Sequence, residues 1–219
     1  MINKLTIDSS NSRTPLCDLG VKYPTDKSPY IIDTWSNRRH PYTAIYDFLF
    51  SSIRHKPLIV GEIGIESNHS MMCWREYFPA AQLTGWEYYP EKITKAVGDA
   101  LNNTRYIHMD VTSEASIADG FRRAVSEFDI IIDDATHDFN DQMRVLKFVH
   151  EYLKPGGYFI IEDIFRSRSE SDYESALAPY MKYYISATFI DAEHSLRPSG
   201  SELDDKMLVL VRNATPCGS

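Results

Sequence analysis

Short apolar runs alternate with stretches in which apolar residues recur every third or fourth position, and this alternation continues through most of the chain. LIVGE (58–62), QLTGWE (82–87), TRYIHMD (104–110), FDIIIDD (128–134) and YFIIED (158–163) read as strands. Between them HSMMCWREYF (69–78), PEKITKAV (90–97), EASIADGFRRAVSEF (114–128) and FNDQMRVLKFVHEYL (139–153) read as helices, the second opening on proline and the last stopping at KPGG. Upstream, YTAIYDFLFSSI (42–53) puts Ile45, Leu49 and Ile53 at helical spacing, and a further helix is expected within 171–183. FDIIIDD has no polar alternation, as befits a strand covered on both faces. YYISATFID (183–191) and KMLVLVRN (206–213) are too close together for a crossover helix, so they predict an antiparallel hairpin. The pattern predicts an α/β fold: a seven-stranded, mostly parallel sheet with helices on both faces and a C-terminal antiparallel hairpin, with ligands at the carboxyl ends of the strands.

Residues 1–40 break the pattern. They are rich in Ser, Asn, Asp, Pro and Arg and are expected to form an arm or lid before a single domain at 41–219. Composition narrows the partners. The 31 acidic residues outnumber the 23 basic ones, giving a net charge of −8, with no basic block, and this excludes a nucleic-acid partner. Cys17, Cys73 and Cys217 are odd in number and lack metal-type spacing, so reduced thiols are expected. No apolar run approaches the roughly 20 residues of a membrane span, and the polar start is unlike a signal peptide. The cytoplasm is the expected location. The arm and surface aromatics are compatible with a homodimer.

The chemistry collects where the five parallel strands end. Their last residues are Glu62, Glu87, Asp110, the pair Asp133/Asp134 and the pair Glu162/Asp163. So many carboxylates on one sheet edge would repel one another and raise their own pKa values unless cations join them. Glu87, at the end of the second strand, is placed to accept ribose hydroxyls. The turn LIVGEIG offers close backbone approach at Gly61 and Gly64. It is not a dinucleotide fingerprint, because Glu66 and His69 stand where glycines would be needed. An acidic loop repels a pyrophosphate and suits a sulfonium cofactor such as S-adenosylmethionine. Asp134, Glu162 and Asp163, from adjacent strand ends, form an oxygen set for Mg²⁺ or another divalent ion such as Mn²⁺. His137 is either a fourth ligand or a general base, and the plainer alternative for Asp134 is a helix cap.

TDK…HPYTAIYDFLF, VGEIGI…HSMMCWREYFPAAQLTGWEYYP, IIDDATH and GGYFIIEDI resemble, in order, the metal-dependent class I O-methyltransferases of the macrocin and mycinamicin type. The resemblance covers residues 22–165. It implies S-adenosylmethionine and Mg²⁺, with Asp134, Glu162 and Asp163 as metal ligands and His137 as the base. It also implies Glu62, Gly64, Ser70, Glu87 and Asp133 along the cofactor, and Asp110 facing the adenine. The acceptor implied is a small molecule, a sugar or polyol with neighbouring hydroxyls. Aromatic and basic residues from Tyr23, Tyr30, Trp35, Arg38 and Arg39 to Tyr42 either wall that acceptor or staple the arm, and the loop Phe165–Arg168, with Arg166, either touches it or is a solvated linker. One stretch departs from the family: Glu66-Ser67-Asn68-His69 replaces a glycine-rich segment, which puts the cofactor pose in question. Two other classes stay open: a metal-independent N- or carboxyl-methyltransferase, and a non-catalytic cofactor-binding homologue.

Overall fold

A computed structural model describes residues 2–31, 39–124, 127–197 and 203–214. Eight strands form one sheet in the order β1-β7-β8-β6-β5-β2-β3-β4. They are β1 (Asn3–Asp8), β2 (Ile59–Ile63), β3 (Gln82–Glu87), β4 (Thr104–His108), β5 (Phe128–Asp133), β6 (Leu153–Ile161), β7 (Tyr184–Glu193) and β8 (Lys206–Arg212). Strands β2 to β6 pair in parallel, and β8 runs antiparallel to both β6 and β7, as the closing hairpin requires.

Alternation along each strand builds a core on both faces. In β5, Ile131 packs with Trp86, Phe121, Phe128 and Leu146, while Ile130 and Ile132 pack on the other side with Tyr46, Trp74 and Phe78. The first layer belongs to α5 (Glu114–Ala124), α6 (Phe139–Tyr152) and α7 (Glu170–Leu177). The second belongs to α1 (Pro15–Lys22), α2 (Thr43–Phe50), α3 (His69–Tyr77) and α4 (Pro90–Gly98). Both faces of β5 are therefore dry, and an unbroken isoleucine run is what such a strand needs.

Two features differ from the sequence expectation. The sheet has an eighth strand, because Asn3–Asp8 pairs in parallel with β7. Five of its six residues are exposed, so main-chain bonding holds it and no buried apolar stripe marks it in the sequence. Strand β6 also begins at Leu153, with a register shift against β5, so KPGG lies inside the strand and helix α6 ends at Tyr152. The segment expected as an arm thus contributes an edge strand and helix α1, and it continues as Pro24–Lys27 into the site described below. Among the described residues no helix is long and apolar enough to cross a membrane. Cys17 and Cys73 are free and buried; Cys217 lies outside the described residues.

Gly61 shows how tightly the central strand is packed. A Cβ there would stand 2.5 Å from the Trp86 ring and 3.1 Å from Phe128. Gly61→Ala is expected to lose about 1–3 kcal/mol of stability by overpacking. Urea unfolding measures it, and an unchanged midpoint would contradict this packing.

Candidate active site

The parallel register brings the carboxyl ends of β2, β3 and β5 to a common edge, beside that of β6. A cleft of about 1000 Å³ opens there. Its walls include Gly64, Ser70, Glu87, Asp110, Asp134 and His137, together with Pro24–Lys27 from the N-terminal segment.

At one end of the cleft two stretches of backbone come close together. Gly64 has φ +86°, and a Cβ there would collide with the Asp134 carbonyl and stand 2.8 Å from Ala135 Cα, so only glycine fits. The non-glycine loop that follows keeps a glycine-like path: Glu66 (φ 43°) and Asn68 (φ 70°) both take left-handed conformations. Asn68 is fixed at the start of α3 by Asp99 and by the Tyr106 hydroxyl, each at 2.9 Å. Glu87 accepts three backbone N–H groups, from Glu66 (3.1 Å), Tyr88 (2.9 Å) and Tyr89 (3.0 Å). Its carboxylate is therefore locked at the cleft wall with acceptor capacity to spare. Asp110 accepts from the Thr112 N–H (2.9 Å) and hydroxyl (2.7 Å), and so shapes the turn after β4.

The acids at the far end are crowded and short of positive charge. Asp134 faces two cations: the Lys27 ammonium on one oxygen, and His137 Nε2 on the other at 3.0 Å. Lys27 also bonds Glu162 and stands 3.3 Å from Glu62. Burial opposes the charge on Lys27, yet Asp134, Glu162 and Glu62 outweigh it and hold the ammonium well above its ordinary pKa. Burial pushes Glu62 and Glu162 up, and the neighbouring acids add to this, with Lys27 opposing. Asp134 goes the other way, because Lys27 and His137 overcome its burial. His137 resists burial in turn and rises to about 9 through Asp134, Asp163 and Glu162.

Asp163 completes the group. It accepts from the Tyr42 hydroxyl at 2.7 Å, and it lies 3.6 Å from both His137 and His40. His40 stacks on Tyr42 and bonds Asp205 at 2.7 Å, which fixes the ring that faces Asp163. One ligand atom each from Asp134, His137 and Asp163 lie within 4.8 Å of one another. The Asp134 and Asp163 oxygens are hard donors that suit a divalent cation, with the imidazole beside them. Both His137 (φ 58°) and Asp163 (φ 51°) hold left-handed backbone conformations, strain of the kind that the surrounding structure must enforce.

Not every expected site residue meets the cleft. Glu62 is fully buried, where Trp74 Nε1 donates to it at 2.8 Å and Ser70 bonds it, so it supports the wall from behind. Asp133 is buried without lining the cleft, and burial pushes its pKa to about 7. Glu162 has its oxygens on Lys27 and the Tyr46 hydroxyl, one step behind the Asp134–His137–Asp163 group. Tyr42 is not an acceptor wall: its hydroxyl is drawn inward by Asp163 and by the Asp204 carbonyl. Arg166 is turned away by the Asp205 carbonyl (3.2 Å) and Glu193 (3.7 Å). Tyr23 is tied to Glu76 at 2.7 Å and Tyr30 packs edge-on to His194, while Arg39 donates to the Ile31 carbonyl at 2.8 Å. Trp35 and Arg38 lie outside the described residues. The helix cap is Asp138, which accepts from Asn140 and Asp141, and this leaves Asp134 to the site. Lys27 is the residue the sequence reading missed; a lone lysine in a polar stretch carries no periodic signal.

A second cavity, about 460 Å³, shares Thr136 and His137 with the cleft and is bounded by Phe139, Phe165, Ser167, Arg168 and Tyr173. His137 thus stands between two chambers.

Comparison with known proteins agrees with this geometry. A family model described as a methyltransferase domain matches residues 61–198. A Streptomyces olivaceus 8-demethyl-8-(2-methoxy-alpha-L-rhamnosyl)-tetracenomycin-C 3'-O-methyltransferase is 34% identical over 137 residues, covering 57% of this chain and 32% of that protein. The Micromonospora griseorubida mycinamicin VI 2''-O-methyltransferase is 30% identical over 162 residues, covering 70% of this chain and 37% of its own. The chain spans about a third of the length of these curated relatives. In fold it is similar to a methyltransferase of the mycinamycin biosynthetic pathway solved with Mg and SAH, at TM-score 0.65 and 19% identity, over 95% of this chain and 58% of that one. Aeropyrum pernix fibrillarin, solved with S-adenosyl-L-methionine, shares the fold at TM-score 0.53 and 17% identity, over 72% of this chain and 68% of that one. With a matched domain that takes in the cleft's Gly64, Glu87, Asp134 and His137, the chain belongs to the methyltransferase-domain family.

Proposed function

We propose that this protein is an S-adenosylmethionine- and divalent-metal-dependent O-methyltransferase acting on a sugar or polyol hydroxyl. The observation that carries the reading is the position of His137, on the wall between the cleft and the smaller cavity and beside Asp134 and Asp163. The named relatives, which methylate glycosylated natural products, support the acceptor class.

The donor supplies a methyl group on a sulfonium, and Mg²⁺ or Mn²⁺ bound by Asp134 and Asp163 supplies the charge that acidifies an acceptor hydroxyl. Glu87 would hold the ribose of the donor, and Asp110 and Thr112 would border its adenine end. The smaller cavity receives the acceptor. Phe165 there is 41% exposed, enough to offer a stacking face to a sugar ring, and a space of about 460 Å³ falls within the range of small-molecule sites. His137 Nε2 takes the hydroxyl proton as the methyl group moves in line. In the metal-free protein that nitrogen is protonated at neutral pH, since its pKa is about 9. Asp134 and Asp163 would hold a divalent cation, which would offset their negative charge and free His137 to act as the base.

Three outcomes follow. Calorimetry with S-adenosylhomocysteine is expected to show binding, with Glu87→Ala weakening it at least tenfold; an absence of binding to the wild type would sink the enzyme reading. Methyl transfer from labelled S-adenosylmethionine to a panel of rhamnosides and related vicinal-diol glycosides is expected to stop on EDTA treatment and return with Mg²⁺. There His137→Ala is expected to lower kcat by about 10²–10⁴ while leaving S-adenosylhomocysteine affinity unchanged. Activity that persists through exhaustive chelation would remove the metal. The third outcome concerns stability without metal. A folded pKa raised to about 9 from 6.5 stabilises fully below pH 6.5 and is lost as pH rises through 9, a contribution of about 3 kcal/mol. His137→Asn is expected to remove that part of the pH dependence in urea unfolding between pH 6 and 10; identical profiles would show that the imidazolium pairs with nothing.

A further inference from the structure

Strand β1 closes one end of the sheet: it pairs with β7 and, among the described residues, with no other strand. Its pairing runs regularly from Asn3 to Asp8, and the sequence NKLTID carries neither a bulge nor a proline. Edge strands of soluble proteins are ordinarily guarded by proline, a bulge or an outward charge, because unpaired N–H and C=O groups recruit another strand. Lys4, the one basic residue of β1, is bonded instead to Glu170 of α7 at 2.8 Å and to Asp191 of β7 at 3.2 Å. Leu5 beside it is 51% exposed. The pleat sorts the side chains by face. Leu5 and Ile7 share the face on which Ile7 packs against the α1–α4 layer, while Lys4, Thr6 and Asp8 share the other, where Lys4 meets α7.

A second copy of this edge is the occupant that fits it. Two identical edges related by a two-fold axis normal to the sheet run antiparallel and keep their faces together, so only residues of the same face stand opposite one another. Centred on Leu5, the pairing would set Ile7 against Asn3 and Lys4 against Thr6; centred on Ile7, it would set Leu5 against Ser9 and Asp8 against Thr6. Centred on Thr6, Lys4 faces the partner's Asp8 and Leu5 faces the partner's Ile7, each twice, with Thr6 facing Thr6. That register puts opposite charges together on one face and apolar side chains together on the other, so one alignment satisfies both. We propose that β1 is a dimerisation edge, which joins two copies of the chain antiparallel about Thr6 so that their sheets become one. The cleft lies at β2, β3 and β5, beyond β7, β8 and β6, so pairing at β1 leaves both clefts open.

Sedimentation velocity of the full chain is expected to show a concentration-dependent dimer. Asp8→Lys sets like charges opposite one another twice and is expected to raise the dissociation constant of that dimer about tenfold. Adding Lys4→Asp to it restores opposite charges and is expected to bring the dimer back. Crosslinking reads the register independently. The native Cys17 and Cys73 are buried, and Cys217→Ser removes the third thiol. In that background Thr6→Cys places two thiols opposite each other within disulfide reach, and mild oxidation is expected to link the copies. Lys4→Cys, which faces Asp8, is expected to stay unlinked. A monomeric wild type overturns the proposal. So does a dimer that Asp8→Lys leaves unchanged, or one that Thr6→Cys links no better than Lys4→Cys, because another surface then holds it. Should Asp8→Lys fail to fold, the two cysteine variants decide the matter alone.

Discussion

Four carboxylates cannot share one edge of a buried sheet without cations among them, and this constraint organises the protein. Glu62, Asp134, Glu162 and Asp163 come together because parallel pairing of β2, β5 and β6 leaves those strand ends side by side. Lys27 and His137 answer part of the resulting charge, and Tyr42, Tyr46 and Trp74 answer part of the hydrogen-bonding demand. Burial, with the neighbouring acids adding to it, still pushes Glu62 and Glu162 up. Crowded buried carboxylates of this kind are where a divalent ion would add stability.

The scaffold turns that charge into a directed site. Both sheet faces are filled by close-packed side chains, so the loops after β2, β5 and β6 have little freedom. The left-handed conformations of His137 and Asp163 persist on that support. The result is a histidine held between two chambers, one suited to a nucleoside-type donor and one lined by Phe139, Phe165 and Arg168. The chain spans about a third of the length of its curated relatives.

Much of this was legible in the sequence, for identifiable reasons. Strands β2, β3 and β5 announced themselves by apolar runs because they are buried on both faces, and the carboxylates at their ends were as conspicuous as the runs. Gly64 and Glu87 followed from the same strand-end rule. What escaped was held by main-chain bonds or by contacts distant in sequence. β1 is an exposed edge strand with no apolar stripe. Lys27 stands in the TDK stretch, but it acts across 107 residues on Asp134 and 135 on Glu162, and the motif gives no hint of those partners. Residue type left Tyr42 and Arg166 each with two readings, and only the fold shows that Asp163 and Asp205 engage them.

The central claim is that this rim of acids exists to seat one divalent ion beside a sulfonium donor. Anomalous scattering from a crystal grown with Mn²⁺ and S-adenosylhomocysteine tests it most directly. The account predicts a single manganese peak within bonding distance of Asp134 and Asp163, next to His137, with the homocysteine portion reaching toward it along the cleft. A cleft that holds the nucleoside with no metal peak, or a peak at some other cluster of acids, would contradict it.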